Sequence, residues 1–199
     1  MSDNIRVGLI GYGYASKTFH APLIAGTPGM ALAAVSSSDA AKVHADWPSV
    51  PVVSEPKHLF NDPNIDLIVI PTPNDTHFPL AKAALEAGKH VIVDKPFTVT
   101  LSQARELDAL AKSLGRLLSV FHNRRWDSDF LTVKRLLSEG TLGEILFFES
   151  HFDRFRPQVR NRWREQAGPG SGIWYDLAPH LLDQAVNLFG LPVSMTVDL

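Results

Sequence analysis

The chain has 199 residues, 45% hydrophobic and 20% charged, an ordinary globular composition with room for one sizeable core or one domain and part of another. Its net charge of -2 excludes a global attraction to nucleic acid or an anionic membrane, so any hold on a phosphorylated ligand must come from local geometry. With no cysteine, disulfides, thiolate metal sites and cysteine nucleophiles are excluded as well.

The opening segment MSDNIRVGLIGYG has neither the basic start nor the apolar stretch of a signal peptide. No apolar run approaches the roughly 20 residues of a membrane span. A cytoplasmic protein without a membrane partner is therefore expected.

In chain order, short β-branched runs predict buried parallel strands at Ile5–Ile10, Leu32–Val35, Ile65–Ile70, Val91–Val93 and Leu117–Val120. Helical stretches lie between them. One runs from about Asp75 to Ala87 and stops at Gly88; another opens with Thr100 and Gln103 in capping-box spacing and ends at Gly115. Strand–helix–strand alternation requires right-handed crossovers, and these build an α/β doubly wound parallel sheet of the Rossmann type over residues 1–121.

The rhythm changes after Phe121. A helix from about Asp127 to Ser138 leads to a long strand candidate, Glu144–Phe155. An irregular Arg/Pro/Gly stretch follows, then a helix near Tyr175–Phe189 and a strand candidate at Val193–Leu199. Residues 122–199 thus read as the N-terminal part of an α+β second domain. Two strands and two helices leave sheet edges unpaired, so the natural chain is expected to continue.

The segment Gly8-Leu9-Ile10-Gly11-Tyr12-Gly13-Tyr14-Ala15-Ser16 follows the first strand and opens a helix. In that context Gly11 permits a tight turn and Gly13 lets the backbone approach a pyrophosphate. The helix start, with Tyr14 and Ala15, offers N–H groups to the anion, and small Ser16 fills the third-glycine place. A purely structural turn is the alternative. After the second strand, Ser36, Ser37 and Ser38 stand where an NAD site usually places an acid. Hydroxyls can donate to a 2′-phosphate without repelling it, so NADP is favoured; Asp39 lies just beyond, and NAD remains open.

Four further segments carry a resemblance. They are Pro71-Thr72-Pro73-Asn74-Asp75-Thr76-His77, Asp94-Lys95-Pro96, Asn123-Arg124-Arg125, and Asp176-Leu177-Ala178-Pro179-His180-Leu181-Leu182-Asp183. With the glycine turn, they make the chain similar over its whole length to the glucose–fructose oxidoreductase/inositol dehydrogenase (Gfo/Idh/MocA) family, particularly its bacterial NADP-dependent scyllo-inositol dehydrogenase-like branch. The chain has Asp94 where the family usually has Glu before Lys-Pro, and Ala178 where it often has Gly. The resemblance implies a cis Lys95–Pro96 bond and a longer protein. Its second domain would be a substrate domain completed as an open sheet used in homo-oligomerisation, as a dimer or tetramer.

The activity implied is hydride transfer between NADP and a polyol or sugar-like ring alcohol, scyllo-inositol being the best single guess. Oxidising a secondary alcohol needs a hydride acceptor, a base for the hydroxyl proton and a group favouring alkoxide character. Lys95, after a parallel strand, is expected to polarise the oxygen. His180 is expected to exchange the proton, since an imidazole titrates at about 6.5. Asp176, one helical turn before it, is expected to bind the sugar or orient the ring. Without the resemblance, the lysine reads first as a solvated charge and the Asp/His pair as a surface pair. A metal site of Asp176, His180 and Asp183 is rejected for want of further ligands.

Pro71, Thr72, Asn74, His77, Asp94, Lys95 and Pro96 are expected around the cofactor; the alternative for Asn74 or Asp75 is a cap on the following helix. Asn123, Arg154 and Trp163 are candidate substrate contacts. The arginine-rich run around the last two suggests nucleic-acid binding, but it is isolated in an acidic chain and leads into the Asp176–His180 element. A non-catalytic NAD(P)-dependent sensor of the same fold is the competing reading, as is an inactive fragment.

Overall fold

In a computed structural model, residues 4–153, 155–158 and 161–198 are described. Contacts divide the chain into two units, Met1–Phe121 and His122–Leu199.

The first unit is a six-stranded parallel sheet: β1 (Ile5–Ile10), β2 (Met30–Ser36), β3 (Val52–Val53), β4 (Leu67–Ile70), β5 (His90–Asp94) and β6 (Leu118–Phe121), in spatial order β3-β2-β1-β4-β5-β6. The crossover helices are α1 (Ala21–Gly26, continuing a π-helical segment Ser16–His20), α2 (Ala40–His44), α3 (Pro56–Phe60), α4 (Asn74–Glu86) and α5 (Leu101–Leu114). Alternating side chains divide the core between the two sheet faces. Val7, Leu9, Leu67 and Val69 join a cluster with Ala21, Ile24 and Val43, while Ile10, Ile68 and Ile70 join one with Ala81, Leu85, Leu107 and Ala111. Helices on both faces explain why the central strands read as unbroken apolar runs.

The expected helix ends are present. Gly88 has φ +79°, and Thr100 and Gln103 make both contacts of the capping box before Gly115 closes α5 at φ +62°. The two-residue strand β3 was not predicted; Val52 and Val53 pair with Val35 and Ser36, a match too short to leave a periodic signal.

The strand order reverses beside β1, because the chain moves outward to β2 and β3 and then resumes on the other side with β4. The chain segments leaving the C-terminal ends of β1 and β4 therefore lead to helices on opposite faces of the sheet, and such a switch point is where sheets of this kind bind ligands.

The second unit holds a 3-10 turn (Asn123–Trp126), α6 (Ser128–Ser138), another 3-10 turn (Trp163–Glu165) and α7 (Gly172–Phe189). Gln184 Nε2 donates to the Arg124 carbonyl at 3.1 Å, and Lys134 Nζ donates to Asn187 Oδ1 at 3.0 Å, tying α7 to the first turn and to α6. The strands expected at Glu144–Phe155 and Val193–Leu199 do not form among the described residues. A strand exists only through ladder hydrogen bonds to a neighbour, and neither segment has one here. Among their described residues, Leu146 is 87% and Phe147 79% exposed.

Candidate active site

The glycine turn is held from three directions. Gly11, at φ +79°, donates its N–H to the Ser36 carbonyl at 2.7 Å and accepts at its own carbonyl from Ser16 Oγ at 2.9 Å. A side chain at Gly11 would touch Thr72 Cγ2 at 3.5 Å, so this turn and the loop after β4 lie against each other. Buried Tyr12 donates from its hydroxyl to Asp46 Oδ2 at 3.0 Å, and Lys17 pairs with the same carboxylate. Burial and then Asp46 push the Tyr12 phenol above its ordinary range, while Lys17 and Tyr12 hold the Asp46 carboxyl below its own. Gly13 is different: a Cβ built there meets nothing within 4 Å. The turn is anchored at Gly11 and Tyr12 and open at Gly13, as backbone that receives a phosphate must be. Tyr14, exposed, and Ala15, half-buried, start the helix beside that opening.

At the end of β2, Ser36 is buried, Ser37 half-buried and Ser38 exposed. Asp39, the acid nearest this position, caps α2, with its Oδ1 accepting from the Lys42 N–H at 3.0 Å; Ser37 Oγ accepts from the Asp39 N–H at 3.1 Å. The carboxylate that could serve a ribose diol is engaged in the helix cap.

The loop after β4 and the turn after β5 are drawn together. Pro71 and Thr72 are half-buried and Asn74 is buried at the first residue of α4. The Lys95–Pro96 bond is cis. Asp94 accepts the Lys95 N–H on Oδ1 at 2.7 Å, and its Oδ2 lies 3.5 Å from Nε2 of His20, a buried ring packed on Phe121 at 4.3 Å. Burial opposes the charged form of Asp94, but His20 and then the Lys95 N–H outweigh it and hold the carboxyl below its usual value. His20 escaped the sequence reading. Its only signal was an imidazole on the helix that opens at the glycine turn, and its partner lies 74 positions away.

The His77 ring lies between these two loops. It is fully buried, with Nδ1 2.8 Å from the Pro96 carbonyl oxygen and Nε2 2.9 Å from that of Thr72. Both nitrogens face backbone carbonyls, one on each loop, so the ring bridges the loop after β4 and the turn after β5.

In the second unit, Asp176 and His180 both lie on α7. His180 is buried, with its ring 6.4 Å from that of Phe152. The Asp176 carboxylate stands 3.3 Å from Arg164 Nη1 and borders a cleft of about 540 Å³ that Phe152, Arg156, Arg162 and Ser171 also line. Arg164 is the neighbour that the sequence did not assign. Trp163 packs beneath the Arg164 guanidinium at 5.2 Å, and Asn123 is half-buried at the start of its 3-10 turn. Arg154 lies outside the described residues. Asp183 is engaged by Arg125, which donates to both of its oxygens at 2.6 and 2.7 Å.

Comparison with known proteins gives two family matches: an oxidoreductase family with an NAD-binding Rossmann fold (GFO_IDH_MocA) over residues 5–122, and a GFO/IDH/MocA C-terminal domain over residues 130–199. YdgJ of Escherichia coli (strain K12), an uncharacterised oxidoreductase, is 89% identical over 100% of this chain and 58% of its own length. The scyllo-inositol 2-dehydrogenase (NADP(+)) IolW of Bacillus subtilis (strain 168) is 41% identical over 98% of this chain and 55% of its own length. The solved structure of the YPO2259 protein from Yersinia pestis superimposes with a TM-score of 0.91 at 76% identity, covering 96% of this chain and 54% of that one. The chain thus spans little more than half the length of the curated relatives it matches.

Proposed function

Since the chain belongs to the Gfo/Idh/MocA oxidoreductase family and carries its NAD-binding Rossmann domain, we propose that the protein transfers a hydride between NADP and a ring alcohol of a polyol or sugar, with scyllo-inositol as the leading substrate. The observation that carries this reading is the convergence of the glycine turn, the Pro71–Asn74 loop and the Asp94–Pro96 turn at the C-terminal ends of β1, β4 and β5.

A dinucleotide fits the residues present. The opening at Gly13 would receive the pyrophosphate, and Thr72 and Asn74 would hold the nicotinamide end. At the end of β2 exposed Ser38 offers its hydroxyl, while Ser36 is buried and Ser37 is bonded to Asp39, itself engaged as a cap; Ser38, with the NADP dependence of IolW, supports NADP over NAD. When bound, the nicotinamide supplies the hydride acceptor. Lys95 donates a hydrogen bond to the substrate oxygen and favours its alkoxide character by charge. His180 takes the hydroxyl proton as the carbinol C–H electron pair leaves with the hydride and the carbonyl forms. Asp176, beside Arg164, binds neighbouring hydroxyls and holds the ring in register.

The test is a panel of polyols and sugars offered to the whole protein with NADP and NAD separately, following nicotinamide absorbance. Oxidation of an inositol with NADP is the expected result. Cofactor binding without turnover on any member would overturn the reading in favour of a sensor. Tighter binding of NAD than NADP would overturn the serine assignment alone.

A further inference from the structure

We propose that His77 is a positioning residue for this reaction, a rigid strut that joins the loop after β4 to the turn after β5 and so fixes where Lys95 stands relative to Thr72 and Asn74. The inference rests on the proposed function only for the role of Lys95. The ladder between β4 and β5 has its last pair at Ile70 and Val93, and beyond that point the two chains part. The imidazole sits past the parting, with Nδ1 2.8 Å from the Pro96 carbonyl and Nε2 2.9 Å from the Thr72 carbonyl. Carbonyl oxygens only accept, so a ring with one N–H donates to one of them and packs its other nitrogen against the second, while a ring with two donates to both.

Packing by itself does not account for a histidine here. The ring is fully buried, a place that a leucine would fill without any need for hydrogen bonds. An ammonium gathers two carbonyls around one atom, as Lys89 does with those of Asp62 and Ile65, whereas a planar ring with nitrogens on two sides keeps the two carbonyls apart at a fixed separation. Its backbone is set as well, because His77 lies in the first turn of α4, whose start the Thr76 hydroxyl fixes by donating to the Pro73 carbonyl at 2.6 Å. Lys95 immediately precedes Pro96 and shares the cis bond with it, so holding the Pro96 carbonyl holds the lysine backbone.

The test uses His77→Leu and His77→Gln in the whole protein, read by hydrogen exchange and by kinetics. In the leucine variant, peptides covering residues 70–74 and 94–99 should exchange together up to about ten-fold faster, the effect of losing an ordinary hydrogen bond between them, while β1 and β2 keep their protection. Turnover should fall about ten-fold or more with a larger primary deuterium isotope effect on kcat, and the Kd for NADP should stay within about two-fold. Glutamine, which retains a donor for one carbonyl, should lie between. If the leucine protein fails to fold, the glutamine variant carries the same readings. Exchange that rises in one loop only, in neither, or uniformly through the sheet would overturn the strut, as would parental kcat and isotope effect. Parental turnover in Lys95→Ala would instead remove the proposed function and leave the exchange result to decide the coupling of the loops.

Discussion

The two units treat similar sequence signals in opposite ways. In Met1–Phe121, apolar runs such as Leu67–Ile70 are buried on both faces of a paired sheet. In His122–Leu199, runs of comparable β-propensity around Phe147 and Val193 are unpaired and largely exposed. The lesson is that strand propensity is local whereas a strand is not. Alternation and β-branching describe a segment willing to pair, and only a neighbour at ladder distance makes it a strand.

The sharpest way to test this contrast asks whether both units contribute chemistry. Lys95→Ala in the first unit and His180→Ala in the second should each lower kcat by about 10²–10⁴-fold in the whole protein, the usual worth of a positioned acid, base or oxyanion partner. The Kd for NADP, from fluorescence titration, should change far less. Parental turnover in His180→Ala would leave catalysis to the first unit alone.

Stability should divide along the same line. Ile68→Ala removes a fully buried side chain from the central sheet and should cost about 2–5 kcal/mol in urea unfolding. Leu146→Ser, at a side chain 87% exposed, should stay within about 0.5 kcal/mol in this 199-residue chain. Equal losses would mean that the second segment is packed in solution after all.

Two smaller effects sharpen the reading of the first unit. Gly13→Ala meets no atom within 4 Å, so unfolding should be unchanged while NADP binding weakens about ten-fold because the methyl occupies the pyrophosphate approach. A stable variant with parental affinity would reduce the glycine turn to a connection. Asp94 gives the pH-dependent case. Its folded pKa lies below the unfolded value of about 3.9, so its stabilising contribution is complete above that value and lost as pH falls through the folded one. The urea midpoint should therefore fall on acidification below about pH 5, and Asp94→Asn should flatten that part of the curve. An unchanged slope would remove the ionised Asp94 from the support of the lysine turn.

The cap and turn chemistry was readable one segment at a time. Thr100 with Gln103, Gly88 and Gly115 each announce a helix end through contacts within a few residues. The residues that organise the site were less legible. His20 meets Asp94, and His77 meets Pro96, across gaps of 74 and 19 positions, and no local pattern encodes which atom a buried imidazole will find. The motif placed His77 at the loop after β4 without saying which way its ring turns. Arg164 shows the same limit, since a basic loop residue becomes the partner of Asp176 only once the 3-10 turn and α7 are in place.

Taken alone, the sequence determined the α/β alternation, the glycine turn at the end of the first strand and the family pattern, because these depend on backbone preference and on residues close together in the chain. The tertiary structure decided the sheet order that puts the switch point beside β1, the pairing that makes or withholds a strand, and the turning of His20 and His77 onto the Asp94–Pro96 turn. Those outcomes depend on contacts between distant segments, which exist only after hydrophobic burial has brought the strands side by side.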